Sequence, residues 1–564
     1  MISSIQGFSP SFKAAQLNIV ATSDNHGNLL TYPMLAQTVK NNKNDIFVKS
    51  EEPSTLNVLA IAGDWFINPS KRGFITNPST DNGKLQLQFL NKFIDFTNNQ
   101  TGQESNFETV FALGNHDLDA GDKFIYKVMD SKKMKTLVTN VDVDNSPKLK
   151  KLMEKNSNIV TKQIFEIPDD KNPELMHKVL FIGATIPSMK FYNPGLLEDL
   201  KFFDDCNKKD ANLKREDLQK TIAAIRKEVD TFKAENPKGA VVLLSHMGNT
   251  ISKMVRDDVE GIDVILNGHD HKNLITVKNS TNIDSLGKDN EIIQALNLKF
   301  DDDGYLEKDI NTYYTKNTSK VDLEKNPLQV FSRKILSEDL KPLVSLTDIS
   351  GNKVELPYSE DIRYKNSYLA NWLTSAVKRP LRELCNDDEV IVGVQSSIIR
   401  GGLKDGSNNL DIMKVFDGVS EDLSNIRIGE ITGEELVGLI VENIEGNLKA
   451  PKRSTIIQWS DIQVNRTLIG DILANKSKKS FADAVKVRNE FTNEFEPINL
   501  EKGYKIAIGE KFLVKDDIKW PGRIRDRFIS LDKTYDQLLR SYIASDSINY
   551  QLKVTRKTKE DRII

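Results

Sequence analysis

Residues 17–27 of the chain, LNIVATSDNHG, combine a run of apolar and β-branched residues with an abrupt polar turn. Runs of this length and composition are typical of buried strands. The same combination recurs along the N-terminal half of the sequence. It appears as LNVLAIA before GD (63–64), ETVFAL before GNHD (114–117), AVVLL before SH (245–246) and DVIL before NGHDH (267–271).

Helical patterns lie between these predicted strands. The clearest is a set of apolar residues at helical spacing, Leu218, Ile222, Ile225, Val229 and Phe232. Alternating strands and helices indicate an α/β fold with a largely parallel or mixed sheet. Because the carboxyl ends of parallel strands share one edge of a sheet, we expect the polar turns to meet there although they are far apart in sequence.

The second half of the chain shows its own α/β pattern. The polar stretch 311–327, NTYYTKNTSKVDLEKNP, has no clear periodicity and favours a connector. Beyond it, helices are predicted at 366–384 and 433–444, and strands at 389–395 and 504–509. We therefore expect a catalytic domain over residues 1–325, a linker over 326–350 and a second domain over 351–564.

Histidine is rare in this sequence, with six residues in 564. His177 is interpreted as a surface or hydrogen-bonded histidine at a strand start. The other five lie in the polar turns, which together supply oxygen and imidazole donors without a thiolate, a set suited to manganese, iron, zinc or similar ions. These predicted metal ligands are Asp24, His26, Asp64, Asn115, His246, His269 and His271.

The number of donors indicates two ions rather than one. Seven donors exceed a tetrahedral shell, but they suit two divalent ions about 3.5–4 Å apart that share one carboxylate. Asp64 is the candidate for the shared carboxylate, because it stands alone in a tight turn after its strand. The competing interpretation is that each motif is only a turn or helix start.

Composition narrows the classes of partner. The 78 Lys and Arg nearly balance the 81 Asp and Glu, leaving a net charge of −3, which gives no reason to expect a nucleic acid or a membrane surface as partner. Two cysteines, Cys206 and Cys385, exclude a disulfide framework and a thiolate metal cage. No apolar run of membrane length and no signal peptide are recognisable. We expect a cytoplasmic monomer or weak oligomer, with a processed form or another export route as the alternative.

The polar turns read SDNHG, GDW, GNHD, SHMG and GHDH in that order. This series resembles the signature of calcineurin-like metallophosphoesterases over about residues 16–275. The resemblance implies a four-layer α/β sandwich with two divalent ions, which could be manganese, zinc, iron, magnesium or calcium. One ion would be held by Asp24, His26, Asp64 and His271, and the other by Asp64, Asn115, His246 and His269.

The resemblance also assigns roles beside the metals. His116 would point at the phosphate, stabilise its charge and protonate the leaving oxygen, while Asp119 of GNHDLDAG would orient the imidazole. The reaction would be attack of a metal-bound hydroxide on phosphorus.

The second domain resembles that of bacterial 5′-nucleotidases and UDP-sugar hydrolases, which supplies a nucleoside pocket. Arg400 takes the arginine position of that family, Phe512 the position of a base-stacking phenylalanine, and Trp520 an aromatic position before a proline. Three of the family's motifs are altered here, at residues 395–398, 417–420 and 515–519, so nucleoside selectivity should be weaker or shifted. The alternative interpretation of Phe512 and Trp520 is that they pack in the core. The alternative interpretation of Arg400 is that it forms a surface salt bridge.

These features give three hypotheses of function. The complete donor set favours a dimetal hydrolase of phosphate monoesters, acting on nucleoside 5′-monophosphates or related nucleotides. The altered motifs of the second domain make a phosphodiesterase, a pyrophosphatase or a sugar-nucleotide hydrolase the first alternative. A non-catalytic binding or effector protein on the same scaffold is the second alternative, which the unbroken donor set disfavours.

Overall fold

The computed structural model of the protein describes residues 13–47, 54–66, 84–102, 106–188, 197–204, 213–278, 281–287, 290–301, 305–335, 344–348, 355–356, 367–387, 389–396, 399, 402, 425–449, 456–489, 492–510, 522–535, 537–539 and 551–554. The chain divides into two compact units. The first consists of Met1–Pro69 and Pro78–Ile335, and the second of Ser70–Asn77 and Leu336–Ile564.

The described residues of the first unit form two sheets. Their strands are β1 (Lys13–Thr22), β2 (Ser54–Ala62), β3 (Phe107–Ala112), β4 (Lys135–Leu137), β5 (Ile159–Val160), β6 (Lys162–Pro168), β7 (Met176–Thr185), β8 (Ala240–His246), β9 (Val264–Asn267), β10 (Asn273–Lys278), β11 (Thr281–Leu286), β12 (Ile292–Asp301) and β13 (Leu306–Tyr314). One sheet has the order β13-β12-β1-β2-β3-β4-β5 and the other β10-β11-β9-β8-β7-β6.

Most neighbouring strands of both sheets are parallel. Strands β1 to β5 pair in parallel, and so do β7, β8, β9 and β11. Alternate residues of β1, such as Leu17 and Ile19, are buried in a core with Phe181 and Leu266 of the other sheet. The two sheets therefore pack face to face, and the carboxyl ends of β1, β2, β3, β8 and β9 carry the five polar turns, as expected.

Helices cover the outer faces of the sheets. They are α1 (Tyr32–Asn41), α2 (Lys43–Ile46), α3 (Lys84–Thr101), α4 (Asp122–Met129), α5 (Pro147–Lys155), α6 (Gln219–Glu235), α7 (Gly248–Asp258), α8 (Lys320–Glu324) and α9 (Pro327–Ile335). The predicted apolar stripe of α6 is buried, with Ile225 and Val229 packed in one cluster with Val241 and Leu243 of β8. Helices α1 and α3 contact β12, β2 and β3 of the other sheet. The first unit is therefore the four-layer α/β sandwich that the sequence predicts.

The segment predicted as a connector and linker contains regular structure. Strand β13 extends to Tyr314, and helix α9 lies within the predicted 326–350 linker. Leu328 of α9 is buried, and the ring of Phe331 lies 5.0 Å from the ring of Phe89 in α3. These two apolar residues, three apart on one helix face, join α9 to the first unit. Part of the segment 311–327 therefore has regular structure, and its role as a connector and the boundaries of the domains remain predictions.

The second unit contains a further mixed sheet. Its described strands are β14 (Val344–Asp348), β15 (Ile391–Gln395), β16 (Asn425–Thr432), β17 (Ile457–Trp459), β18 (Ile462–Val464), β19 (Val485–Arg488), β20 (Phe495–Pro497), β21 (Gly503–Gly509), β22 (Ile529–Thr534) and β23 (Gln551–Val554). Five of them form a sheet of order β17-β15-β21-β16-β22, β18 to β20 form a small antiparallel sheet, and β14 pairs with β23.

The helices of the second unit pack on both faces of the five-stranded sheet. They are α10 (Tyr368–Cys385), α11 (Gly433–Lys449), α12 (Arg466–Leu473) and α13 (Gly522–Arg525). Leu373 of α10 packs in one cluster with Val392, whereas Leu436 of α11 packs in another with Ile391 and Ile506. Neighbouring residues of β15 thus point to opposite faces, as in any strand. The helices and strands predicted from the sequence in this half are confirmed.

Candidate metal centre and active site

The turn after β1 is joined to the turn after β2 by backbone hydrogen bonds that continue beyond the strands. The amide of Asp24 donates to the carbonyl of Gly63 at 3.1 Å, and the amide of His26 donates to the carbonyl of Asp64 at 2.9 Å. A third bond runs from Gly27 to the carbonyl of Trp65 at 3.0 Å. The predicted ligands of the two turns are therefore held side by side before any metal is considered.

Five predicted ligands have a left-handed backbone. Non-glycine residues rarely adopt positive φ, and such strain gathers at functional sites. The φ angles are 55° for Asp24, 50° for His26, 49° for Asp64, 80° for His269 and 56° for His271. The sharp turns at the strand ends therefore project these side chains into the site at a conformational cost.

Three motif glycines let the turns approach each other. A Cβ on Gly63 would lie 2.6 Å from Nδ1 of His246, and one on Gly114 would lie 2.2 Å from Oδ1 of Asp64. A Cβ on Gly268 would lie 2.3 Å from Oγ of Ser23. Each glycine thus leaves room for a residue of another turn, which explains the glycine in GDW, GNHD and GHDH.

The first group of donors consists of Asp24, His26 and His271, whose ligand atoms lie within 4.8 Å of one another. Nε2 of His271 is 3.3 Å and Nε2 of His26 is 3.9 Å from Oδ1 of Asp24. Nε2 of His26 also lies 3.5 Å from Oδ2 of Asp64. These contacts place Asp64 beside the group to which the resemblance assigns it.

The second group consists of Asp64, His246 and His269, again within 4.8 Å. Nε2 of His246 lies 2.9 Å from Oδ2 of Asp64, and Nδ1 of His269 lies 2.9 Å from Oδ1 of Asn115. The Asp64 carboxylate thus has close imidazole neighbours from both groups. His26, Asp64 and His116 form a third such group. The structure therefore brings all seven predicted ligands together, and their division between two ions stays a prediction.

The tautomer of His246 tests whether the donors fit a cation. Its Nδ1 lies 2.7 Å from the carbonyl oxygen of Ala62 and must donate to it. The lone pair of Nε2 then faces Asp64, and these two acceptors repel each other unless a cation or a proton lies between them. Burial opposes a charged imidazole, but the Asp64 and Asp24 carboxylates outweigh it and raise the pKa of His246 to about 9. A divalent ion satisfies the same atoms, so the donors fit a metal.

His116 and Asp119 form the predicted pair beside the ligands. Nδ1 of His116 lies 2.8 Å from Oδ2 of Asp119, and the His116 side chain is 32% exposed. The backbone amide of His116 donates to Oδ1 of Asp64 at 2.7 Å. Its ring is 5.2 Å from the ring of His26. The pair is therefore fixed to the carboxylate at the centre of the site while its imidazole stays accessible.

Asp117, for which the sequence predicts no role, is fully buried. Its Oδ2 accepts hydrogen bonds from the amides of Asp64 at 3.0 Å and Gly114 at 2.7 Å, and its Oδ1 accepts one from Phe66 at 2.7 Å. Asp117 therefore ties the GD turn to the GNHD turn. An acidic side chain in a strand-ending turn is itself a signal for such backbone contacts.

The remaining predicted positions lie elsewhere. His177 is the second residue of β7, and its Nε2 lies 3.0 Å from Oδ2 of Asp169, so the structural interpretation of this histidine is confirmed. Arg400, Phe512 and Trp520 lie outside the described residues. In the described part of the chain, none of the helices is both long and apolar enough to cross a bilayer.

The fold and the site together match a known class. The family model of the calcineurin-like phosphoesterases matches residues 17–273. Residues 17–273 thus form a calcineurin-like phosphoesterase domain, and the protein is a hydrolase. Members of this family use divalent metals and act on phosphate esters.

Two solved structures illustrate what the whole chain is similar to. A 5′-nucleotidase precursor from Thermus thermophilus is 16% identical with a TM-score of 0.57, over 97% of this chain and 99% of that one. The sulfate thiohydrolase SoxB of Thermus thermophilus is 14% identical with a TM-score of 0.51, over 98% of this chain and 97% of that one. At these identities the likeness shows the two-domain fold. No curated protein sequence matches the chain.

Proposed function

We propose that the protein hydrolyses phosphate monoesters of the nucleoside 5′-monophosphate class with the help of two divalent ions. The observation that carries this proposal is the position of Asp64. Its Oδ2 lies 2.9 Å from His246 and 3.5 Å from His26, which belong to different donor groups. A carboxylate between two sets of imidazoles is the arrangement that a pair of ions sharing one ligand requires.

The chain offers a nearly complete shell to each ion. Asp24, His26, Asp64 and His271 would hold one, and Asp64, Asn115, His246 and His269 would hold the other. The absence of sulfur from these donors favours manganese, iron, zinc or a similar ion. When bound, such ions activate water and neutralise charge on phosphoryl oxygens.

His116 would act on the substrate directly. Because Asp119 engages Nδ1, the charged imidazole keeps its Nε2–H for a phosphoryl oxygen or the leaving oxygen. The Asp119 carboxylate stabilises that charged form and fixes the plane of the ring. A proton delivered from Nε2 to the ester oxygen would convert a poor leaving group into an alcohol.

Nucleotides are proposed as substrates because two features point to them. The whole chain has the two-domain fold of a 5′-nucleotidase precursor, and Arg400, Phe512 and Trp520 resemble nucleoside-pocket positions of that family. Changes in the surrounding motifs predict a broad or shifted preference among bases. AMP is therefore the first substrate, and GMP, UMP and CMP follow in the same assay.

The test is phosphate release from AMP by full-length protein with and without Mn²⁺. We compare wild type with His116→Ala, and with His177→Ala as the matched control, because both histidines pair with an aspartate at 2.8–3.0 Å. Metal-dependent release that is lost in His116→Ala and kept in His177→Ala supports the proposal.

Two outcomes would contradict it. Release that persists in Asp64→Asn with Mn²⁺ present would remove the shared carboxylate from the mechanism. A metal-loaded protein that releases no phosphate from AMP, but cleaves a diester or a sugar nucleotide, would replace the substrate class while leaving the metal centre intact.

A further inference from the structure

Asp270 lies between His269 and His271, and its side chain joins their turn to a helix. Its Oδ2 accepts a hydrogen bond from the backbone amide of Asn249 at 2.5 Å. Asn249 is in the first turn of α7, which begins at Gly248. Amides of a first helical turn have no partner within the helix, and a carboxylate there is favoured by the helix dipole.

The helix is shaped to receive this carboxylate. Gly248 has φ +75°, a conformation that favours glycine, and a Cβ there would lie 2.9 Å from Oδ1 of Asp270. An ordinary residue at 248 would therefore push the aspartate away. Both sides of the contact depend on each other, since the carboxylate supplies the acceptor and the glycine supplies the space.

Helix α7 is a rigid base for the contact. It starts two residues after His246, a predicted ligand at the end of β8. Oγ of Ser252 donates to Oδ1 of Asn267 at 2.7 Å, and Oγ of Ser285 donates to Oδ1 of Asn249 at 3.0 Å. These bonds anchor the first turns of α7 to the ends of β9 and β11. A side chain that is hydrogen-bonded to α7 is therefore held at a fixed position relative to His246.

The two histidines of the turn are held unequally. The amide of His269 lies 3.2 Å from Oδ2 of Asp24, and its ring contacts Asn115. His271 has a side chain that is 42% exposed, and it contacts Oδ1 of Asp24 at 3.3 Å. A loosened turn would therefore retain His269 and let the imidazole of His271 move into solvent.

We propose that Asp270 is a positioning residue that holds His271 in the metal centre through the amide of Asn249. The inference rests on the proposed dimetal function, and it adds that the two metal sites respond differently to the loss of Asp270. Losing the Asp270 contact weakens the ion bound with Asp24, His26 and His271, whereas the ion bound with Asn115, His246 and His269 is retained. Groups that orient metal ligands typically change metal affinity by about 10- to 100-fold.

The test is calorimetric titration of metal-free, full-length protein with Mn²⁺, together with the visible absorption of the Co²⁺-loaded protein. Asp270→Ala should bind one ion normally and the other at least about tenfold more weakly. Asp270→Asn should stay close to wild type, because its amide oxygen can accept the same hydrogen bond. Gly248→Ala, which displaces the carboxylate from the other side, should reproduce Asp270→Ala.

Asp263→Ala is the matched control. Oδ2 of Asp263 also accepts a backbone amide, that of Val241 at 2.9 Å, but at the amino end of β8, the end away from His246. This variant should lower Tm without changing either affinity. It separates general destabilisation from positioning.

The outcomes distinguish this inference from the proposed function. Wild type that binds two ions while Asp270→Ala binds both unchanged would overturn the role of Asp270 alone. If Asp270→Asn bound Mn²⁺ as weakly as Asp270→Ala, the role of Asp270 would also be overturned, since loss of the hydrogen bond would not explain the lower affinity. Wild type that binds no divalent ion would overturn the dimetal function and this inference with it.

Discussion

Oδ2 of Asp119 lies 2.8 Å from Nδ1 of His116, three residues earlier in the chain. His116 is the first residue of a single turn of 3₁₀ helix, and Asp119 follows its last residue, Leu118, which is buried and fixes the turn to the core. The carboxylate is 12% exposed, against 32% for the imidazole. The acid is therefore the sheltered partner and the histidine the accessible one, as an orienting residue and a proton donor should be.

Asp119→Ala should lower kcat for AMP on the order of 10- to 100-fold, because the imidazole loses the group that orients it and stabilises its charge. Metal binding should not change, since Asp119 belongs to neither donor group. Steady-state kinetics at saturating Mn²⁺, with a parallel metal titration, measures both.

The control for this prediction is Asp169→Ala. It breaks the equally close His177–Asp169 pair, so a general effect of losing a histidine–aspartate contact would appear in both variants. Equal losses of kcat in the two proteins would contradict the role assigned to Asp119.

Gly63→Ala should weaken metal binding although no ligand is changed. The new methyl group would lie 2.6 Å from the ring of His246, and φ at this position is +85°. The imidazole must therefore move, at a cost of roughly 1–3 kcal/mol in strain. Titration of the metal-free variant with Mn²⁺ should show a weaker site, and its Tm should fall.

A glycine with free space around it provides the matched control. In helix α11, a Cβ on Gly446 would have nothing within 4 Å among the described residues. Gly446→Ala should stabilise the second unit by about 0.5–1 kcal/mol, because alanine is the better helix former. A Gly63→Ala protein that binds metal as wild type does would show that the turn relaxes without moving His246.

Much of this architecture is visible in the sequence for one physical reason. In a mostly parallel sandwich the central strands are buried on both faces, so they appear as unbroken apolar runs whose ends are marked by polar turns. That is why the positions of Asp24, Asp64 and His246 could be predicted. The edge strand β13 could not be predicted in this way, because its residues alternate between half-buried and exposed and form no unbroken apolar run.

Contacts between turns could not be predicted in this way. The bond from the amide of Asp64 to Asp117 joins residues 53 positions apart, and the contact of Asp270 with Asn249 joins residues 21 apart. Both aspartates look like ordinary turn residues in the sequence. Their partners are fixed only when neighbouring strands bring the turns together, so these roles follow from the packing.

Asp117→Ala should destabilise the first unit by about 3 kcal/mol or more. It removes a buried acceptor of three backbone amides, and each buried amide left without its partner costs about 1–3 kcal/mol. The stability of Asp117→Asn should lie between those of wild type and Asp117→Ala. Its side-chain oxygen still accepts a hydrogen bond, while its amide nitrogen faces a backbone amide that is also a donor. Thermal unfolding of the metal-free proteins, followed by circular dichroism, measures the order of the three.

Asp142→Ala serves as the comparison for that series. Asp142 accepts a hydrogen bond from the backbone amide of Asn145 on the surface at 3.2 Å. Losing the Asp142 carboxylate should therefore change the free energy of unfolding by no more than about 0.5 kcal/mol. A Tm for Asp117→Ala equal to that of Asp142→Ala would mean that the two turns hold together without the buried carboxylate.

Asp284 of β11 is a buried acid outside the set of predicted metal ligands. Neither of its carboxylate oxygens has a hydrogen-bond partner among the described residues. Burial raises the pKa of Asp284 from 3.8 to about 7, although the charge of Lys308 opposes the shift. The native protein therefore holds a proton that the unfolded chain releases near pH 4, and stability falls as the pH rises from about 4 to about 7.

Asp284→Asn removes this cost because the amide is neutral at every pH. The variant should raise the free energy of unfolding on the order of 4 kcal/mol at pH 8 and change it little at pH 4. The measurement is the difference in Tm between variant and wild type at each pH, in metal-free protein. Asp263→Asn, which alters a carboxylate bonded to the Val241 amide and to Lys233, should instead lower Tm at pH 8. An Asp284→Asn protein stabilised equally at both pH values would show that charge is not the cause.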